Sequence, residues 1–294
     1  TFDHLGYRRD ARAARFPYLA ALRERVLIYD GGFGTELFKF DLGPADLGTG
    51  IQDGCVELIH RTRPEIAPSI HRRYFEAGAD VVETHSFNAI PHALAEFGLA
   101  DQAESLAEAA ARAARGAADE FSTRERPRFV AGALGSGTKM PSLGAIGWDA
   151  LFDSYRVGAR GLLRGGADLI LIETAQDILQ VKCAVLAART AMRDLGREVP
   201  IQAQVTIETA GAMLAGTDIA GALTALESLP IDVVGLNCAT APDLMDSHVR
   251  HLGEYATRWV SCLPNAGLPR NVGGKAMYDL TPEELARWHE KFVR

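Results

Sequence analysis

Val233-Val234-Gly235-Leu236-Asn237-Cys238 is a short apolar run that follows an acidic residue, Asp232, and ends in an amide and a thiol. It reads as a strand buried on both faces whose last two side chains emerge at a rim. Cys238 then has two readings. Free cysteine is among the most buried residue types and packs as a small hydrophobe, yet a thiol at a strand exit is also placed for chemistry. The rest of the chain decides between them, because several other strands end in polar residues of the same kind.

Working outward, Arg25-Val26-Leu27-Ile28-Tyr29-Asp30 reads as a first strand that runs into Gly31-Gly32-Phe33-Gly34-Thr35-Glu36. Ala79 to Phe87 is a second strand with the exit Glu83-Thr84-His85-Ser86-Phe87, and Arg128 to Gly135 a third. Ala167 to Thr174 is the fourth, closing on Glu173, and Pro200 to Ile207 the fifth. The Cys238 strand is sixth and Trp259 to Asn265 seventh. Helical patterns separate them, starting near Pro64, Asp101, Trp148, Asp177, Ile219, Leu244 and Thr281. The last opens with Thr281 as N-cap, Pro282 at the first position and two acids in the first turn.

Regular alternation of strand and helix implies a parallel sheet with helices outside. The expected fold is α/β, a (β/α)8 TIM barrel. Seven units are present where such a barrel closes with eight strands, so the eighth strand-helix unit is expected beyond residue 294. An open doubly wound sheet is the alternative. In domain terms, residues 1–25 read as a helical leader and 26–294 as the barrel, truncated before its last unit. Arg8, Arg9, Arg12, Arg15, Arg23 and Arg25 give the leader a slight likeness to a transit peptide, but Asp3, Asp10 and Glu24 favour an ordinary helix.

The chain is 47% hydrophobic and 23% charged over 294 residues, with a net charge of -7 and no basic stripe. That balance argues against nucleic acid or an anionic membrane as partner and leaves a small molecule. Cys55, Cys183, Cys238 and Cys262 are widely spaced with no local pair, which suits reduced thiols in a cytoplasmic setting. No apolar run approaches the roughly 18 residues of a membrane span.

Collected at the expected rim are Asp30 with its glycine turn, His85, Glu173, Asn237, Cys238 and Asn265. A glycine turn after a strand is often purely structural, but it also lets backbone N–H groups approach an anion. Two carboxylates for an ammonium and the N–H groups of Gly32, Phe33, Gly34 and Thr35 for a carboxylate describe an amino acid as ligand. The thiol is then a nucleophile or a metal ligand. Catalytic zinc usually takes three protein ligands, and partners for Cys238 are not evident in the sequence.

These residues carry a resemblance. Asp30 to Glu36, Glu83 to Phe87, Ile172-Glu173-Thr174, Gly235-Leu236-Asn237-Cys238-Ala239 and Pro264-Asn265-Ala266-Gly267-Leu268-Pro269 make the chain from about Val26 onward resemble the homocysteine S-methyltransferase family. The likeness is greatest to the branch whose homocysteine-binding module works with separate folate- and cobalamin-binding modules of the same polypeptide. The resemblance implies a (β/α)8 barrel holding zinc through three cysteines, one after the sixth strand and an adjacent pair after the eighth. Cys238 matches the first. The pair has no counterpart, since Gly273-Gly274 is followed by Lys275.

By the same resemblance Asp30 and Glu173 bind the amino group of homocysteine and the Gly32 to Thr35 turn its carboxylate. Asn237 and Asn265 support the metal and substrate end. His85 stands where the family commonly has Asn, and is expected to keep a hydrogen bond rather than ligate zinc. The implied chemistry is attack of a homocysteine thiolate on a methyl group delivered by methylcobalamin. A thiol of pKa about 8.5 is mostly protonated at neutral pH, and zinc coordination removes that proton. Three alternatives stand beside this reading: a stand-alone enzyme using betaine or S-methylmethionine, a metal-free binding fragment without turnover, and an unrelated barrel lyase whose glycine turn holds phosphate.

Overall fold

Six parallel strands in sequence order carry the fold: β1 (Val81–Glu83), β2 (Phe129–Leu134), β3 (Leu169–Ala175), β4 (Ile201–Val205), β5 (Val233–Asn237) and β6 (Trp259–Leu263). The computed structural model describes residues 9–48, 54–267, 270–272 and 275–294. Leu268, Pro269, Gly273 and Gly274, quoted above, lie outside the described residues, as do the first eight residues of the leader. The helices that position the sheet are α1 (Pro17–Glu24), α2 (Ile66–Ala77), α3 (Ala103–Phe121), α4 (Trp148–Gly165), α5 (Ile178–Leu195), α6 (Ile219–Glu227), α7 (Pro242–Tyr255) and α8 (Pro282–Val293). One helix of α3 to α7 fills each crossover between consecutive strands, as a parallel sheet requires.

Strands β2 to β5 are buried on both faces, and alternation splits their side chains between two cores. Val130, Ile170, Ile201 and Val234 point outward beneath the helices. Val81, Phe129, Leu169, Leu171, Val233 and Trp259 point inward and gather around Tyr18 and Leu19 of α1. Strands β1 and β6 sit at opposite ends of the sheet order, so in a flat sheet they would lie about 24 Å apart. Val81 and Trp259 nevertheless share the inner cluster with α1. The sheet is therefore curled into a half-barrel with α1 as a plug at its lower end, and the flat doubly wound alternative is excluded.

Outside, α3 and α4 approach closely because Gly161 and Gly165 face the alanine stripe of α3. A Cβ at Gly161 would stand 2.3 Å from the Glu104 carbonyl oxygen, and one at Gly165 2.5 Å from that of Glu108. The helix ends follow the sequence signals: Asp177 caps α5 by accepting from the Leu179 amide, and Thr281 and Glu284 form a capping box at α8.

Two expectations need correction. The first strand is reduced to a single bridge between Tyr29 and Val81. It has one strand neighbour, and Val26 and Ile28 are half exposed, at 50% and 52%, so only one side of the segment forms sheet bonds. A short antiparallel hairpin, β7 (Arg270–Val272) with β8 (Lys275–Met277), also follows β6 where none was anticipated.

The lower ends of β1, β3 and β5 share a device. Asp80, Asp168 and Asp232 each immediately precede their strand, and each carboxylate accepts the backbone N–H of a neighbouring segment: Ile28 at 3.1 Å, Val130 at 2.8 Å and Ile201 at 3.0 Å. Each also meets arginine, Asp80 with Arg25 at 2.7 Å, Asp168 with Arg115 at 2.7 Å and Asp232 with Arg12 at 2.8 Å.

Candidate functional site

The upper, C-terminal ends of the strands are where barrel enzymes place their chemistry, and here the backbone itself is unusual. Thr174, Cys238 and Ala239 are the non-glycine residues with positive φ among those described, at 54°, 59° and 57°. All three lie at the exits of β3 and β5. Left-handed backbone at non-glycine residues costs energy and concentrates at functional sites. At Cys238 it breaks the alternation of β5 at the strand exit, where the thiol sits half-buried among polar groups instead of in packed hydrocarbon.

Asn237 ties these two exits together. Its Oδ1 accepts from the Thr174 N–H at 2.8 Å, and its Nδ2 lies 2.8 Å from Thr174 Oγ1, 3.3 Å from Glu173 Oε2 and 3.4 Å from Cys238 Sγ. Thr174 Oγ1 stands 3.7 Å from the same sulfur. Below, Thr206 Oγ1 donates to the Asn237 carbonyl at 3.0 Å. Burial raises the Cys238 thiol pKa, with hydrogen bonding from Thr174 opposing the shift.

Asp30 stands at the exit of the first segment, and its Oδ2 accepts the Glu83 N–H at 3.0 Å. The chain then enters a one-turn helix, Phe33–Leu37, with Gly32 as its N-cap. The first amides of such a turn have no intrahelical acceptor. Gly32 contributes its carbonyl, which accepts from Thr35 Oγ1 at 2.7 Å. Phe33 lies flat on His85, with ring centroids 4.3 Å apart and planes 9° from parallel.

His85 is fixed by that stack and by a contact of 3.2 Å from its Nε2 to the Val56 carbonyl. Burial lowers its pKa to about 3, so it stays neutral. Asn265 is exposed, and the bond that holds it runs through its backbone amide to the Thr240 carbonyl at 3.2 Å. Cys262 packs outward against Met245, and Cys183 is buried in α5.

Glu83 is the residue for which sequence reasoning assigned no role. It was visible inside a quoted motif, and its position two residues after the inward-facing Val81 was the signal that it lines the interior. Three carboxyls thus share the mouth. Burial, and then the charge of Glu83, push Asp30 and Glu173 well above the usual carboxylate range, and burial pushes Glu83 up to about 7. Among the described residues no lysine or arginine pairs with any of them.

The homocysteine S-methyltransferase family profile matches residues 27–294. The chain belongs to that family. It is 47% identical to methionine synthase of Mycobacterium tuberculosis over 275 residues, which cover 94% of this chain and 23% of that protein. Against methionine synthase of Mycobacterium leprae the identity is 46% with the same coverage. The chain therefore spans about a quarter of the length of these relatives. The metallated form of the homocysteine methyltransferase MmuM from Escherichia coli superposes with a TM-score of 0.69 at 22% identity, covering 85% of this chain and 88% of that one. That likeness carries the barrel-type fold.

The zinc implied by the family meets an incomplete donor set. Among the described residues no group of three histidine, cysteine, aspartate or glutamate side chains is arranged to hold a metal ion, and the donor at the expected place is Cys238 alone. One thiolate does not make a three-ligand catalytic zinc site.

Proposed function

We propose that this chain is the homocysteine-binding module of a methionine synthase, holding the substrate so that its sulfur lies at Cys238. The observation that carries the reading is the pair of cation-free carboxylates, Asp30 and Glu173, set in one mouth with the Cys238 thiol. A substrate ammonium supplies the positive charge that Asp30 and Glu173 lack. The open amides of the Gly32 to Thr35 turn suit its carboxylate, and Asn237 fixes Glu173 and Cys238 relative to each other. Held through both charged groups of its α-carbon, the substrate has its thiol at the free end of the side chain.

In this reading Cys238 is one zinc ligand, and the further donors come from chain outside the described residues. Folate- and methylcobalamin-binding modules belong to the same polypeptide, consistent with the 23% share of the relatives, and the four free thiols suit a cytoplasmic setting. Among the described residues no helix is long and apolar enough to cross a membrane. The stand-alone enzyme is not favoured, because the matched relatives named above are methionine synthases several times longer.

Replacing Cys238 with Ala in the intact polypeptide is expected to abolish methyl transfer to homocysteine and lower the zinc content, with an unchanged circular dichroism spectrum. Full activity in that variant would remove Cys238 from the site.

A further inference from the structure

A bulge near the end of β3 decides where Glu173 points. Ile172 pairs with Ala203 and Ala175 with Val205, so three residues on β3 advance against two on β4. One extra residue in a strand is a β-bulge, a device that re-aims side chains. Ile172 and Ala175 both pack in the outer core. Regular alternation leaves a single inward residue between two outward ones. The bulge leaves two, Glu173 and Thr174, side by side at the mouth.

The bend falls at Thr174, whose φ is 54°. Glycine accepts that backbone freely, whereas at a β-branched residue it is a rare and costly conformation. The side chain of Asn237, on β5, holds it there. Asn237 Oδ1 accepts from the Thr174 N–H at 2.8 Å, and Asn237 Nδ2 donates to Thr174 Oγ1 at 2.8 Å. These two bonds close a ring between one carboxamide and one residue, and so fix which end of the amide is oxygen. The second Nδ2 proton is left to face Glu173 Oε2 at 3.3 Å and Cys238 Sγ at 3.4 Å. Asn237 is itself held, being 3% exposed, with Thr206 Oγ1 donating to its carbonyl at 3.0 Å. Glycine at position 174 would keep the bend and the N–H bond, but not the hydroxyl that locks the carboxamide.

We infer that the Thr174 hydroxyl, acting through Asn237, sets the aim of Glu173 and with it the preference of the site for a ligand that carries an amino group. This rests on the amino-group role of Glu173 given above and deepens it. Thr174 is a positioning residue: it bonds to Asn237, and Asn237 bonds to the carboxyl. A carboxyl already pinned in one orientation meets an ammonium without losing further rotamer freedom, whereas a loose one must be ordered at each binding event. The hydroxyl therefore acts on ligand selection as well as on the shape of the strand exit.

The test compares two ligands. Dissociation constants of the intact polypeptide for L-homocysteine and for the amine-free 4-mercaptobutyrate are measured for the wild type, Thr174→Val, Thr174→Ser and Thr174→Gly. Both compounds carry the thiol and the carboxylate, so a change at Cys238 or at the glycine turn is common to them and cancels in the ratio. The wild type should prefer L-homocysteine at least about 30-fold. Thr174→Val keeps the shape without the hydroxyl and should lose about five- to tenfold of that preference, the worth of one hydrogen bond. Thr174→Gly should lose as much with a relaxed backbone, and Thr174→Ser should keep most of the preference. An unchanged preference in folded Thr174→Val or Thr174→Gly, or an equal loss in Thr174→Ser, would overturn the role of the hydroxyl and leave the substrate assignment standing. If Thr174→Val does not fold, Thr174→Gly decides alone. Equal affinity of the wild type for the two compounds would overturn the amino-group reading, and this inference with it.

Discussion

Three carboxyls at each end of the half-barrel are treated oppositely. At the lower end Asp80, Asp168 and Asp232 each accept a backbone N–H and each meet an arginine. At the upper end Asp30, Glu83 and Glu173 have no cation among the described residues, and the backbone beside Glu173 and Cys238 is left-handed at three residues without glycine. A buried charge that is paired and hydrogen-bonded closes a structure, whereas one left uncompensated awaits a partner. The same residue types thus serve as clamps at one end and, in the function proposed above, as a receptor at the other.

Mutation should separate the two ends, beginning with the largest effect. Asp80 is 1% exposed and collects Arg25, Arg126 and Arg128. Removing it as Asp80→Ala leaves the buried Arg128 and the Ile28 amide without that acceptor, Arg25 and Arg126 being open to water, and should cost about 3 kcal/mol in urea unfolding, with homocysteine affinity unchanged in the folded protein. Burial tends to raise the Asp80 pKa, but bonds from Arg25 and the Ile28 amide outweigh it and hold the value low. Its contribution is therefore present above the unfolded-state pKa of about 3.9 and is lost as pH falls through the lower folded value. The variant should show a flatter acid limb in its stability curve.

Glu173→Gln should do the reverse. Its carboxyl is raised rather than lowered, so ionising it opposes folding as pH rises, and at pH 8 the variant should be at least as stable as the wild type. Homocysteine affinity should instead fall by about 2 to 5 kcal/mol, the cost of removing one partner of an enclosed charge pair. A variant that unfolded early and still bound homocysteine normally would place Glu173 among the clamps.

The smallest expected effect concerns the strained backbone. Ala239 at φ 57° pays the left-handed penalty without a side chain that bonds to the site. Ala239→Gly should stabilise the fold by up to about 1 kcal/mol and leave binding unaltered. A loss of stability would show that the Cys238 turn is not strained.

Much of this architecture was legible in the sequence. The strands from Ala79 to Asn265 were set by apolar runs with polar exits, and two helix starts by Asp177 and the Thr281-Pro282 pair. Periodicity could not show that Arg25 to Asp30 forms only one bridge, because ladder length depends on neighbours and not on the run itself. In the mouth, Asp30, Glu173, Asn237 and Cys238 could be singled out because each ends a strand. Glu83 was passed over because it is the last strand residue before the polar exit and was read as part of that motif, and its place in the mouth arises only when the sheet curls. Asn265 was read as part of the substrate end, yet its described bond is through its backbone. The lower clamps needed three dimensions, since Arg12 and Asp232 are 220 residues apart.

The account stands on the amino group of the substrate meeting Asp30 and Glu173 in the mouth beside Cys238. Comparing the affinity of the intact polypeptide for L-homocysteine and for 4-mercaptobutyrate, which keeps the thiol and carboxylate but lacks the amine, tests that contact directly. The prediction is that the amine-free compound binds at least about 30-fold more weakly, equivalent to some 2 kcal/mol. Equal affinity for the two would contradict it.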